Sequence, residues 1–467
     1  MKIIYQIGRL ERGAFNPIKF EVHGKVYEAL LSSFALRQSF LENKQASKVI
    51  LIYPVSLFLN SSLLNEKATQ TQNIPAEFKK VIESILFDKN ELYNYLSNPY
   101  PYFEKHPHSK EANGFIVIHS IGQYEGIKFS STLEELILEI FIDMVKRYQD
   151  EHFSELYLDI SSGHNIYTSA LIEAGRLFLT FYKLQNFNLK ENGLKVFITF
   201  SDPIVPPYNR TFQVHKDFCL EVKTFFSFPE KPTQNSLKDA YSKFAKDLVG
   251  EDKELRPFKR QLNELFSHGY FFYSAIKNNC PLVLYTWEYH QEEEIDKGIA
   301  ELISFVKQRL SSNYQSSPGL KFDLFRKAFI MLSIYKGIVK VLKEYKIFKK
   351  EEVEIEELAR NFRDENQSLY NCFELKQNRE YFSHEYSNTF EREGERGGIK
   401  DKIPEHYVLL RELIKGESDE IKPRNFIAHC GFERNCVYVR RQGAQVFVKY
   451  GSEVLSRIEE ILLSSKV

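Results

Sequence analysis

The apolar positions change period part-way along the chain. Over roughly the first 200 residues, short runs rich in Ile, Val, Phe and Tyr alternate with longer amphipathic stretches. The short runs predict strands at Lys2–Ile7, Lys48–Tyr53, Gly114–His119, Glu155–Asp159 and Leu194–Phe200. Between them, three- and four-residue spacings predict helices over Tyr27–Glu42, Ala76–Leu86, Thr132–Asp150 and Asn165–Leu184. Thr132 followed by Glu135 is a capping-box signature. A βαβα order with such short strands implies a mostly parallel, doubly wound α/β sheet, which is a Rossmann-like architecture. Arg210–Phe218 reads as a last, antiparallel strand.

Phe228-Pro229-Glu230-Lys231-Pro232 then breaks the pattern. Beyond it the chain reads as mainly α-helical, with helices over Ile295–Leu310, Lys321–Tyr345, Val353–Tyr370 and Glu405–Ile414. Glu391–Lys402, charged and Gly-containing, reads as a mobile loop. Val437–Arg440 and Val446–Tyr450 flank Gly443 as a small C-terminal β-hairpin, and Ser452–Leu463 closes as a helix. The expected division is a first domain over 1–228, a linker over 229–254 and a helical domain over 255–467.

Charge narrows the partners. The formal net charge is +0, so no global field draws in nucleic acid, and any such contact is local. Five cysteines without a C-x-x-C pair speak against a disulfide frame or a zinc module. His429, Cys430 and Cys436 lie close in sequence but lack a fourth ligand. The N-terminal apolar run, Ile3–Ile7, is too short for a signal peptide, and no stretch is long enough to span a membrane. The expected compartment is the reduced cytoplasm.

Two short motifs carry candidate chemistry. The first is Arg424-Asn425-Phe426-Ile427-Ala428-His429. Arg offers a fixed cationic fork for a phosphate, and His offers a proton donor or acceptor near neutral pH. Five positions apart on a helix are about 140° apart in azimuth, so the pair converges only if the helix ends or bends near His429. Pro423 before and Gly431 after suit such a short helix. Spacing alone does not choose this pair, because Arg147/His152, Arg210/His215 and Arg379/His384 share it. The first closes a helix, the second lies in a strand with its members on opposite faces, and the third is the serious competitor.

The second motif is Asp159-Ile160-Ser161-Ser162-Gly163-His164-Asn165, a strand end running into a helix. A Ser-Ser-Gly turn at a helix N-terminus offers N–H groups and hydroxyls to a phosphate, and equally well offers a plain helix cap. The first strand ends similarly at Gly8-Arg9, and Arg9 can address the same anion. Neither a Walker loop nor G-x-G-x-x-G is present at these turns.

Together the motifs resemble those of the CRISPR-associated CARF–HEPN ribonucleases, ancillary enzymes of type III CRISPR systems. The 159–165 run matches the CARF ligand-loop pattern, and 424–429 matches the HEPN catalytic pattern. The resemblance departs in one respect: Cys430-Gly431 follows the motif at once, where the family's helix usually continues.

The resemblance implies an N-terminal CARF domain that binds a cyclic oligoadenylate, with cyclic tetra-adenylate the expected activator. Its ligand-binding residues would be Gly8, Arg9, Ser161, Ser162, Gly163, His164 and Asn165. It also implies a HEPN domain that cuts single-stranded RNA with Arg424, Asn425 and His429 across a homodimer, without a metal or other catalytic cofactor. Products would carry 2′,3′-cyclic phosphate and 5′-OH ends, and no stable DNA partner is expected. The alternative is a non-enzymatic ligand sensor with an inactive HEPN domain, in which a buried Arg424 pairs with Glu433 and His429 is a core residue.

Overall fold

The computed structural model describes the chain except residues 11–13, 65–73, 190–192, 205–209, 312, 392–398, 415–419 and 465–467. It resolves into two compact units. The first comprises 1–182, 191–223 and 300–322; the second comprises 183–190, 224–299 and 323–467.

The first unit is built on an eight-stranded sheet. Its strands are β1 (Lys2–Ile7), β2 (Ile18–Val22), β3 (Lys25–Ala29), β4 (Ser47–Pro54) and β5 (Gly114–Ile118). A separate hairpin, β6 (Ile121–Tyr124) and β7 (Ile127–Ser130), follows. The main sheet then continues with β8 (Glu155–Asp159), β9 (Lys195–Ser201) and β10 (Thr211–Cys219). The order is β3-β2-β10-β9-β8-β1-β4-β5. β1, β4, β5, β8 and β9 pair in parallel, as expected, and β10 is antiparallel to β9.

Strands β1 and β4 are buried along nearly their whole length, because helices cover both faces of a parallel sheet. After the β2-β3 hairpin, which joins the far edge beside β10, the chain adds β4 and β5 on one side of β1, then returns to add β8 and β9 on the other side. The direction of winding therefore reverses between β1 and β8, and ligands bind beyond the strand C-termini at such a reversal.

The helix expected over Tyr27–Glu42 begins only at Ser32. Lys25–Ala29 is a strand instead, because its alternating side chains pair with β2 through the His23-Gly24 turn, both residues at positive φ. The helix Leu133–Glu151 has the expected capping box: Thr132 and Glu135 exchange side-chain-to-backbone bonds.

The second unit is mainly helical. Its long helices include Arg256–Lys277 and Phe322–Glu344. The first carries apolar residues at three- and four-residue intervals, a pattern that marks a helix although it was not among the sequence expectations. Within the 229–254 stretch, Ser242–Val249 is helical, and Asn263 Oδ1 accepts from the Tyr241 N–H.

Two helical expectations are corrected here. Val353–Tyr370 contains a strand, β11 (Val353–Glu354), and a helix only over Ile355–Phe362. The helix stops because Asp364 Oδ1 accepts from the N–H groups of Asn366 and Gln367, a side-chain turn that competes with helix. Glu405–Ile414 contains β12 (Val408–Leu409) and one turn of helix, Leu410–Leu413. The expected hairpin is β13 (Val437–Gln442) with β14 (Gln445–Tyr450). It recruits both short strands into a four-stranded sheet, β11-β14-β13-β12. The expected loop over Glu391–Lys402 lies largely outside the described residues. Among the described residues, no helix is long and apolar enough to cross a membrane.

Candidate functional sites

Beyond the C-terminal ends of β1, β4 and β8 lies a cavity of about 580 Å³, within the range of small-molecule sites. Gly8, Arg9, Gly163 and His164 line it, together with Tyr124 and Tyr167. Gly8 is required by packing: a Cβ there would lie 2.1 Å from Tyr53 Cε1. Gly163 is required twice over, by a φ of +101° and by Ile7, whose Cγ2 would lie 2.7 Å from a Cβ.

The Arg9 carbonyl is held from behind by His106, whose Nε2 lies 3.0 Å away and donates to it. Burial holds the His106 ring well below its ordinary pKa, so it is neutral. The His164 carbonyl accepts from Tyr167 and Thr168 N–H, which starts the Asn165–Leu184 helix and leaves the His164 and Asn165 side chains exposed.

The serine hydroxyls bond to neighbouring strands. Ser161 Oγ accepts from Ser201 N–H at 2.8 Å, and Ser162 Oγ donates to the Ile7 carbonyl at 2.6 Å. Each ties the loop to a neighbouring strand, so neither forms the helix cap that was the other expectation. Beneath them Asp159 is fully buried, accepting from Ser161 N–H and Ser32 Oγ. Burial pushes its carboxyl up to about 6.

The second site belongs to the helical unit. Pro423–Ala428 forms a six-residue helix with Pro at its start, as the motif's flanks predict. It ends immediately before His429, the C-cap residue. Cys430 N–H bonds to the Ile427 carbonyl and Gly431 N–H to the Phe426 carbonyl, a Schellman pair. Cys430 occupies the left-handed position at φ +52°, and Gly431 follows at +79°. Phe426 is buried against Tyr450, and Tyr450 Oη donates to the Gly431 carbonyl. The helix is thus pinned through its apolar face.

Arg424, Asn425 and His429 remain exposed. Arg424 has no ion-pair partner among the described residues, and Glu433 instead accepts from Asn435. A buried Arg424–Glu433 pair with a core histidine is therefore not what the chain forms. His429 Nδ1 lies 3.0 Å from Glu385 Oε1. A carboxylate only accepts, so Nδ1 carries the proton and Nε2 is left for other chemistry. The hydrogen bond to Glu385, aided by its charge, raises the His429 pKa above its ordinary 6.5 against partial burial.

In the competing pair, Arg379 donates to the Glu365 carbonyl and lies 3.7 Å from the carboxylates of Glu365 and Glu380. His384 contacts Asn388 on its own helical surface. The thiols of Cys430 and Cys436 are buried and pushed up, so both are protonated.

The chain thus combines a Rossmann-like unit, with a cavity at its winding reversal, and a helical unit that presents an exposed Arg/His pair. Two family models match. One, described as CRISPR system endoribonuclease Csx1, CARF domain, covers residues 2–203, and the corresponding HEPN-domain model covers 375–453. No curated protein matches the chain. The two models together span more than half of it, and the chain belongs to the CRISPR-associated CARF–HEPN ribonuclease family.

Proposed function

We propose that this ribonuclease is switched on by a cyclic oligoadenylate, cyclic tetra-adenylate being the expected size, and acts in type III CRISPR defence. The observation that carries the reading is the motif helix itself. Its apolar face is anchored, its end is capped, and Arg424 and His429 are left exposed at opposite ends.

In the proposed mechanism the RNA supplies its own nucleophile. The ribose 2′-oxygen attacks the adjacent phosphorus and the bond to the 5′-oxygen breaks. A base takes the 2′-OH proton and an acid protonates the departing 5′-oxygen, with His429 in one of these roles and the partner subunit's copy of the motif completing the site. Arg424 holds the phosphate and stabilises the charge that grows on it. Asn425 orients the phosphate. Products carry 2′,3′-cyclic phosphate and 5′-OH ends, and no metal takes part.

At the other site we assign Gly8, Arg9, Gly163, His164 and Asn165 to the ligand, with Ser161 and Ser162 tying down the loop that presents them and adding to the ligand site. A two-fold axis suits one cyclic ligand shared by two such cavities. By function, 1–228 is the ligand module, 229–254 the joining segment and 255–467 the ribonuclease module.

The test is cleavage of a fluorescent single-stranded RNA in EDTA, with and without cyclic tetra-adenylate. Ligand-dependent cleavage that disappears in His429→Ala, with ligand binding intact, is the expected result. Cleavage indifferent to the ligand sinks the activator. Cleavage that persists in His429→Ala and is lost in His384→Ala moves the site to the competing pair.

A further inference from the structure

The helix Lys376–Tyr386 shows two different faces. Phe382 and Tyr386 are buried; Phe382 packs on Phe362 at 5.9 Å and on Phe432 at 6.2 Å between ring centroids. Asn378, Tyr381 and Glu385 fall at i, i+3 and i+7 and share another face.

Both ends of that second stripe are tied to the end of the motif helix. At one end the Asn378 carbonyl accepts from Asn279 Nδ2 at 3.0 Å, and the same amide contacts Cys430 Sγ at 3.1 Å. Asn279 is buried and its other amide atom accepts from Tyr370 Oη, so the link is fixed. At the other end Glu385 Oε1 accepts from His429 Nδ1, and Thr389 Oγ1 lies 3.3 Å from the same oxygen. Between these anchors stands Tyr381, 68% exposed.

We infer that this helix supplies two further residues to the reaction: Tyr381 as the platform on which an RNA base next to the scissile bond stacks, and Glu385 as the positioning residue that fixes the His429 ring with Nε2 toward the substrate. The inference rests on the ribonuclease reading above. Its chemistry suits a chain with net charge +0, which has no general attraction for RNA and needs a local, sequence-tolerant grip. Every base has a π face, and an exposed ring held on a rigid helix stacks on it without reading sequence. A carboxylate bonded to one imidazole nitrogen fixes both the tautomer and the plane of the ring, which a flexible end-of-helix histidine otherwise lacks.

The experiment uses the full chain with cyclic tetra-adenylate and a fluorescent single-stranded RNA, following initial rates against RNA concentration over a pH series. Tyr381→Ala raises KM roughly 5- to 150-fold with kcat little changed, the signature of lost ground-state binding. Tyr381→Phe restores the wild-type KM. Glu385→Gln, nearly isosteric, moves the His429 limb of the kcat–pH profile to lower pH, a shift that a purely structural role does not produce. An unchanged KM in Tyr381→Ala, a KM change that accompanies loss of the oligomer on sizing, or an unmoved limb in Glu385→Gln overturns the inference. The underlying reading fails separately: the wild type does not cut RNA, or His429→Ala cuts as well as the wild type.

Discussion

At the scale of single residues, the proposed ligand loop is governed by what it cannot hold. Gly24 and Gly163 both sit at positive φ, but only Gly163 is crowded: nothing lies within 4 Å of a Cβ at Gly24. Gly24→Ala should therefore cost backbone strain alone, about 1 kcal/mol. Gly163→Ala should add an overpacking cost of about 1–3 kcal/mol against Ile7, and weaken binding of cyclic tetra-adenylate as the loop shifts. Thermal unfolding of the two variants, with calorimetric titration of the ligand, separates these costs. Below the loop, Asp159 sets a pH dependence. Its folded pKa, about 6, lies above its ordinary 3.8, so its contribution to stability is complete below that ordinary value and is lost as pH rises through about 6. Asp159→Asn removes the group, so its stability should gain on the wild type by up to about 3 kcal/mol between pH 4 and 7; parallel curves over that window refute the assignment. The sequence marked Gly8, Gly163 and His164 correctly as loop residues at strand ends. It could not show where the serine hydroxyls go, because Ser161 meets Ser201, 40 residues later, and Ser162 meets Ile7, 155 residues earlier.

Among elements, the helix starting after Thr132 shows how far a local signal reaches. The capping box is written in four consecutive residues, and the structure forms it. Yet Glu135 is almost wholly buried and does more than cap. Its Oε1 lies within hydrogen-bond reach of Ser317 Oγ at 2.7 Å and of the Gly319 and Leu320 N–H groups at 3.0 and 3.3 Å. Against burial, the bonds from Ser317, Ser131 and the Thr132 and Leu320 N–H groups hold its carboxyl below the ordinary value, so the stability it gives is present at neutral pH and falls away as acid titrates it. Glu135→Ala should cost about 2–3 kcal/mol and speed hydrogen exchange at Gly319 and Leu320 in particular, while Glu135→Gln should keep most of both. Equal exchange at those two amides in all three proteins would show that the segment stands without Glu135. Three of the strands that escaped the sequence reading share a cause. β3, β11 and β12 are five residues or fewer and exist because a partner strand pairs with them, and pairing between distant segments leaves no mark on local periodicity.

For the molecule as a whole, the strongest constraint on the proposed activation is thermodynamic. If the cyclic ligand favours the RNA-competent state by some factor, then RNA must tighten the ligand by that same factor, whatever structural route connects the two. Binding free energies obey this rule and rates do not, so the measurement belongs in a protein that binds without cutting. His429→Ala is that protein, because it removes the proposed proton-transfer group and leaves Arg424, Tyr381 and the proposed ligand cavity in place. Its affinity for single-stranded RNA should rise on adding cyclic tetra-adenylate, by about 5- to 150-fold if the coupling is of ordinary size. Its affinity for cyclic tetra-adenylate should rise by the same factor on saturating it with RNA. Two titrations by fluorescence anisotropy give both numbers. If neither affinity moves while the wild type is still activated, the ligand acts on the chemical step alone, after RNA is bound, and the proposed competent state differs from the resting one in how His429 and Arg424 are arranged. If the two factors are equal and large, activation is a shift in which state the RNA meets, and a variant that weakens the ligand loop, such as Gly163→Ala, should lose the two effects in equal measure.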